Sequence, residues 1–70
     1  MNEAMLRELV NRRPFQPLAL RLSSGESYEI RHPENVFLTK SRIVIAFPET
    51  DQLVIASLLH VTSVALVQAA

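Results

Sequence analysis

The two histidines are the first residues to consider for chemistry, because imidazole is the side chain that normally titrates near neutral pH. His32 lies close to Glu34, whereas His60 lies in an apolar stretch near the end of the chain. Metal sites place their ligands at short, recurring spacings, which these three residues do not have. The sequence also contains no cysteine. We therefore predict no metal site and no cofactor.

The serines and carboxylates do not form a catalytic pattern. None of the serines has the flanking glycines of a nucleophile elbow. A glycine-rich phosphate loop is excluded because Gly25 is the single glycine of the chain. The Asp and Glu residues are scattered, with no pair that must meet. The sequence therefore predicts a protein that is not an enzyme and identifies no small-molecule substrate.

A basic cluster near the start of the chain consists of Arg7, Arg12 and Arg13. These arginines could complement the C-terminal end of a helix dipole, or they could contact phosphates. Repetition around an oligomer would strengthen weak phosphate contacts through avidity. The whole chain has seven basic and seven acidic residues and a formal net charge of zero. It therefore generates no long-range attraction for nucleic acid or an anionic membrane.

Length and composition indicate one small globular domain over residues 1–70, with 49% hydrophobic residues. Domains of this size are marginally stable unless disulfides, a metal or self-association support them. Without cysteines or a metal site, self-association is the leading expectation, and an unusually well-packed monomer is the alternative. The apolar runs are too short to cross a bilayer, and the chain does not open with a signal peptide. We expect a cytoplasmic protein that does not bind membranes.

The first thirteen residues predict a helix over about 2–13. Asn2 is the expected N-cap, and Pro14 should stop the helix. Four apolar residues recur at helical spacing on one face, namely Met5, Leu6, Leu9 and Val10. This face should cap an open end of a barrel, and the alternative is a free helix that binds a partner.

The stretch from Pro14 to Pro33 predicts a β-hairpin. Its apolar residues alternate with polar ones, which is the period of a strand. One face carries Leu18, Leu20, Leu22, Tyr28 and Ile30. Gly25 lies at the tip, where it can adopt a positive φ.

The remaining segments complete a mainly β fold. In order, they are a short segment at Val36–Thr39, a strand at Arg42–Phe47, a polar loop at Pro48–Gln52, a strand at Leu53–Ser57, a 3₁₀ turn at Leu58–His60 and a final strand at Val61–Val67, with fraying expected over residues 68–70. The pattern predicts one mainly β domain over about 17–67, preceded by the helix.

The last three strands are apolar on both faces, which indicates that both faces are covered. The final strand places Val61, Ala65 and Val67 on one side, and Val64 and Leu66 on the other. One short helix cannot cover all these faces, but a second subunit can. The sequence therefore predicts a homo-oligomer.

The order of elements resembles the Sm-like barrel of Sm, LSm and Hfq proteins, and it also fits other SH3-like barrels. The resemblance implies a small five-stranded, strongly bent SH3-like or Sm-like barrel over about 17–67, preceded by the helix. The stretch LALRLSSG at residues 18–25 is similar to that family's first strand and turn, and VIASLLHVTSV at residues 54–64 resembles its second motif. Sm-like proteins form rings by pairing the fourth strand of one subunit with the fifth strand of the next. The resemblance therefore implies an interface formed by Leu53, Val54, Ile55, Ala56, Thr62, Val64 and Leu66.

Only some of the RNA-binding residues of that family have counterparts in this sequence. His60 matches the histidine of the second turn, but Leu59 stands where Hfq-type proteins have a lysine. Asn35 and Phe37 are loose counterparts of the polar and aromatic residues of the first Sm motif. Together with the helix arginines, the possible RNA contacts are Arg12, Arg13, Asn35, Phe37 and His60.

A second resemblance, at residues 13–17 (RPFQP), Gly25, 32–34 (HPE) and 57–62 (SLLHVT), is to a set of short bacterial proteins of unassigned function. It implies a stand-alone chain and no particular chemistry. Two functions therefore remain open. The first is a self-assembling interaction module, and the native mass of the protein tests it. The alternative is an RNA-binding ring, and the salt dependence of RNA binding tests that alternative.

Overall fold

The computed structural model describes residues 1–67, so the predicted fraying of the terminal residues lies outside the described part. The fold is mainly β, with one N-terminal helix, as the sequence predicted. The elements are α1 (Glu3–Asn11), β1 (Leu18–Leu22), β2 (Ser27–Ile30), a 3₁₀ turn at Pro33–Asn35, β3 (Val36–Leu38), β4 (Arg42–Phe47), β5 (Gln52–Ser57), a 3₁₀ turn at Leu58–His60 and β6 (Val61–Leu66).

The six strands form two antiparallel three-stranded sheets, in the orders β2-β1-β6 and β3-β4-β5. We call them sheet A and sheet B. The prediction of five strands is corrected to six, because a 3₁₀ turn that starts at Pro33 separates β2 from β3. Proline has no N–H to donate to a ladder, so pairing is interrupted there. Within residues 1–67 the two sheets are not hydrogen-bonded into a closed barrel.

Helix α1 begins where the sequence predicted and ends earlier. The Asn2 side chain accepts hydrogen bonds from the backbone N–H groups of Ala4 at 2.8 Å and Met5 at 3.4 Å. The helix stops at Asn11, and Arg12 already has extended φ and ψ angles of −63° and 137°. The predicted end at Arg13 is wrong because a residue that precedes proline avoids the helical region. That restriction falls on Arg13, so the chain leaves the helix before it.

The core lies between the two sheets and under α1. Its buried side chains are Leu6, Val10, Leu18, Leu20, Leu22, Ile30, Ile43, Ile45, Leu58 and Val61. The predicted hairpin face is thus confirmed, although Tyr28 is only half-buried. On the helix, Met5 departs from the prediction because it is 60% exposed, whereas Leu6 is fully buried. Full burial of a leucine side chain stabilises a fold by about 1.5–3 kcal/mol.

Two turns need backbone conformations with positive φ. Gly25 has a φ of 95°, as predicted for the hairpin tip. Asp51 has a φ of 57° in the turn between β4 and β5, a region that Asp visits more readily than most residues. The predicted polar loop at Pro48–Gln52 is therefore a tight turn, in which the Thr50 N–H donates to the Phe47 carbonyl at 3.1 Å.

The last strand contains an irregularity that the sequence did not reveal. Arg21 lies opposite Ser63, but Leu22 lies opposite Val61, so Thr62 is an extra residue in the ladder. This bulge changes the side-chain alternation. Val61 is buried on the core side, the side that Val64 also faces, and the prediction that these two valines lie on opposite sides is wrong.

Candidate functional site

The predicted interface residues lie on two strands that each have one unpaired edge within residues 1–67. Strand β5 pairs with β4, and strand β6 pairs with β1. The seven predicted residues are divided between these strands, with Leu53, Val54, Ile55 and Ala56 on β5 and Thr62, Val64 and Leu66 on β6. An unpaired edge presents free N–H and C=O groups to any chain that can pair with it.

The hydrogen bonds of the β4–β5 ladder determine which residues of β5 face outward. The Leu58 N–H donates to the Ser41 carbonyl at 2.8 Å, in the same register as the β4–β5 pairs. Hydrogen-bonded pairs alternate along an antiparallel ladder. The backbone groups of Val54 and Ala56 therefore point to β4, whereas those of Leu53, Ile55 and Ser57 point to the free edge.

The same reasoning applies to β6. The Val67 N–H donates to the Pro17 carbonyl at 2.9 Å, in register with the β1–β6 pairs. Ser63 and Ala65 therefore bond to β1, and the backbone groups of Val64 and Leu66 point outward. The sequence could not give this assignment, because side-chain alternation does not reveal which partner a backbone group faces.

The side chains on the two edges belong to opposite faces of their sheets. Leu53 is 61% exposed and Ile55 is 62% exposed, both on the outer face of sheet B. Leu66 is 45% exposed, and Val64 is half-buried. These two lie opposite the buried Leu18 and Leu20, so they are on the core face of sheet A.

The basic cluster is largely engaged by its own chain. The Arg7 Nε atom lies 2.6 Å from a Glu3 carboxylate oxygen, and its Nη2 donates to the Leu38 carbonyl at 3.3 Å. Arg13 donates to the carbonyls of Val10 at 3.1 Å and Arg12 at 2.9 Å. These bonds satisfy carbonyls at the end of the helix, which is the first of the two roles considered for the cluster.

The other predicted RNA contacts lie apart from one another. The His60 Nδ1 atom lies 3.4 Å from the Ser23 hydroxyl, beside the tip of the hairpin. Asn35 borders an open hollow between β2 and β4, whereas His60 borders a second hollow with different lining residues. Phe37 is 68% exposed on the outer face of sheet B. The described chain does not bring these residues into one pocket.

The hollow between β2 and β4 was not predicted, and we call it the seam hollow. It has a volume of about 490 Å³ and is lined mainly by residues 27–32 and 45–49. The rings of Tyr28 and Phe47 meet in it, with their centroids 6.0 Å apart. The sequence placed each aromatic residue on its strand, but the register between the hairpin and β4 could not be predicted.

A hydrogen-bonded group lies at the hairpin tip beside this hollow. The Tyr28 hydroxyl donates to one oxygen of the Glu26 carboxylate at 2.7 Å, and the Ser24 hydroxyl donates to the other at 2.9 Å. The bond from Tyr28, and then that from Ser24, lowers the pKa of Glu26. The same carboxylate raises the pKa of Tyr28, because ionisation would remove the donated proton.

Among residues 1–67, no group of three or more His, Cys, Asp or Glu side chains is arranged to hold a metal ion. The described part of the chain also has no helix that is long and apolar enough to span a membrane. Comparisons with protein families, curated proteins and solved structures return no match to this chain.

Proposed function

We propose that this chain is a non-enzymatic assembly module whose copies associate through the β5 edge of one subunit and the β6 edge of the next. In this proposal sheets A and B are the halves of a strongly bent, Sm-like barrel, and the assembly is a homo-oligomeric ring. The observation that carries it is the pair of free edges with matching outward backbone groups. A cytoplasmic location stays a prediction.

The backbone geometry supports a particular register between subunits. Hydrogen-bonded pairs require outward-facing residues on both strands, so Leu53 and Ile55 must pair with outward residues of β6. Among the antiparallel registers that this rule allows, one places Leu53 opposite the partner subunit's Leu66 and Ile55 opposite the partner subunit's Val64, so that both pairs are apolar. Such apolar cross-strand pairs contribute roughly 0.2–1 kcal/mol each.

The side chains support the same register. Residues directly opposite each other share a face of the sheet. Leu53 and Ile55 would therefore lie on the core face of the partner's sheet A, next to the partner subunit's Leu66 and the partner subunit's Val64. The exposed Leu53 and Ile55 side chains of one subunit would thus bury the partly exposed Leu66 and Val64 side chains of the next subunit. This accounts for the apolar character of positions that are more than half exposed in a single chain.

RNA binding, the alternative function, receives less support. Arg7 and Arg13 bond to their own chain, and the described RNA candidates do not converge. The formal net charge of zero also provides no long-range attraction for a phosphate backbone.

The native mass tests the proposal. At micromolar concentration, light scattering should give a multiple of the 7.9 kDa chain mass. Ile55→Lys should yield monomers, because it places a charge where the partner's core face is apolar. Phe37→Lys is the matched control, since Phe37 is similarly exposed but lies on β3, at the opposite side of sheet B from the β5 edge proposed for assembly. A monomeric parent protein, or equal dissociation by both variants, would contradict the proposal.

A further inference from the structure

The seam hollow is separate from the edges proposed for assembly. Its walls come from β2, from the chain that follows it and from the end of β4. Within residues 1–67, Gln52 is the one lining residue that belongs to β5 or β6, the strands whose edges are proposed for assembly. Binding in this hollow is therefore independent of association through the β5 and β6 edges.

One wall of the hollow is a strand with unpaired backbone groups. The Leu22 N–H donates to the Glu26 carbonyl at 2.9 Å, in register with the β1–β2 pairs. Tyr28 and Ile30 therefore bond to β1, by the alternation of an antiparallel ladder. The N–H and C=O groups of Ser27 and Glu29 point away from β1 and into the hollow.

The opposite wall has the same property. The Thr39 N–H donates to the Arg42 carbonyl at 3.0 Å, in register with the β3–β4 pairs. The backbone N–H and C=O groups of Arg42, Val44 and Ala46 therefore point toward β3 and not toward β5. Strand β3 begins at Val36, which lies opposite Ile45. Ala46 is beyond that point, and its backbone groups face the hollow without a partner on β3.

The floor of the hollow is apolar because it is the margin of the core. Tyr28 and Phe47 are half-buried, and both pack against core residues. An apolar side chain above this aromatic pair would cover the part of the core that the two sheets leave open.

The charges at the rim favour a basic group. The lining side chains include Glu29, Arg31 and Glu49, a formal charge of −1 with histidine neutral. Arg31 Nε lies 3.0 Å from the Glu29 carboxylate, so these two side chains neutralise each other. The exposed Glu49 carboxylate is left as the uncompensated charge of this set.

We propose that the seam hollow binds an extended peptide segment of a partner protein, which adds as a strand to the free edge of β2. The segment carries apolar residues at alternate positions, directed to Tyr28 and Phe47, and a lysine or arginine near Glu49. Strand addition supplies affinity through backbone hydrogen bonds and specificity through alternate side chains.

The probe is the capped peptide acetyl-Thr-Val-Lys-Leu-Thr-Val-Thr-amide, titrated into the full chain and followed by NMR. We expect saturable binding below about 1 mM. The amide protons of Ser27 and Glu29 should exchange about tenfold more slowly in the complex, because they gain hydrogen bonds. Two peptides N-methylated at alternate residues provide the backbone control. The one methylated on the amides that face β2 should bind about tenfold more weakly than the other.

Glu49→Lys tests the charge without disturbing the core. The lysine peptide should bind about two- to fivefold more weakly, and a peptide with glutamate in place of lysine should gain by a similar factor. Glu8→Lys, an exposed change on α1, is the matched control and should alter neither affinity. The proposal is overturned by an absence of saturable binding up to about 1 mM. It is also overturned if the peptide binds without slowing the exchange of the Ser27 and Glu29 amide protons. Slow exchange of these protons without peptide, caused by self-association, would overturn it as well.

Discussion

At the residue scale, Gly25 is constrained by its backbone and not by its neighbours. Its φ is 95°, and apart from Gly25 and its two chain neighbours no heavy atom of the described residues lies within 4 Å of the position where a Cβ atom would be. A substitution there meets open space but must hold an unfavourable conformation. The sequence predicted this residue correctly, because a glycine between two alternating strands indicates a turn with positive φ.

Gly25→Val should therefore lower the free energy of unfolding by about 1–3 kcal/mol, the cost of a strained backbone position. Denaturant unfolding measures this loss. Gly25→Asn should lose less, since Asn enters the left-handed region more readily than valine. Unfolding of the valine variant at the parent's midpoint would show that the turn tolerates a β-branched residue.

The shifted pKa values of Glu26 and Tyr28 predict that the stability of the fold falls at both low and high pH. The lowered pKa of Glu26 gives stability that is fully present above its unfolded pKa and is lost as the pH falls through the folded pKa. The raised pKa of Tyr28 gives stability that is present below its unfolded pKa and is lost as the pH rises through the folded pKa. The hydrogen bond between them is therefore intact at neutral pH.

Tyr28→Phe should move the pKa of Glu26 upward toward its ordinary value, because the larger cause of the lowered pKa is then removed. An NMR titration of the Glu26 carboxyl group measures the change. Ser24→Ala is the matched control and should move the same pKa by less. A Glu26 titration that is unaffected by Tyr28→Phe would mean that this hydrogen bond is not formed in solution.

At the scale of elements, the sequence predicted most of the strands because their apolar residues alternate and their ends carry proline, glycine or polar turns. It predicted β4 at Arg42–Phe47 and the 3₁₀ turn at Leu58–His60 with the observed bounds. It did not predict the bulge at Thr62, since a single extra residue leaves no composition signal. It also could not assign the outward backbone groups, which depend on the register between distant strands.

The edge of β6 can be tested with proline, which removes one N–H. Val64→Pro should dissociate the oligomer, because the Val64 N–H points to the free edge. Val64→Ala is the control for the lost side chain and should retain the parent's mass. Ser63→Pro should instead destabilise the subunit itself, since Ser63 bonds to β1 opposite Arg21. Light scattering and thermal unfolding separate the two effects, and unchanged mass for Val64→Pro would exclude this edge from the interface.

At the scale of the whole molecule, charge balance predicts weak binding to RNA. Single-stranded RNA should bind with low affinity at physiological salt, and the slope of affinity against salt should be shallow because few phosphates are neutralised. Fluorescence anisotropy with uridine-rich and adenine-rich oligonucleotides measures both quantities. Tight binding that is lost in Arg12→Ala with Arg13→Ala would instead favour the RNA-binding ring.

The overall architecture could be predicted only to the level of a mainly β domain with an N-terminal helix. Closure of a barrel depends on how the two sheets meet, and the 3₁₀ turn at Pro33–Asn35 separates β2 in sheet A from β3 in sheet B. The seam hollow is a consequence of that separation. Composition and periodicity describe single strands and carry no information about such a gap between sheets.

In the proposed assembly, the β5 edge and the β6 edge differ from each other, which gives every subunit a head and a tail. A chain that joins its β5 to the partner's β6 leaves one unlike edge exposed at each end of the pair, so association is directional and does not stop at two copies. It stops only when successive rotations bring the last subunit back to the first. If the rotation does not close, the same contact builds an open filament. In the proposed assembly, the angle between sheets A and B, which are joined by the 3₁₀ turns at Pro33–Asn35 and Leu58–His60, therefore decides between a ring of fixed size and unlimited growth.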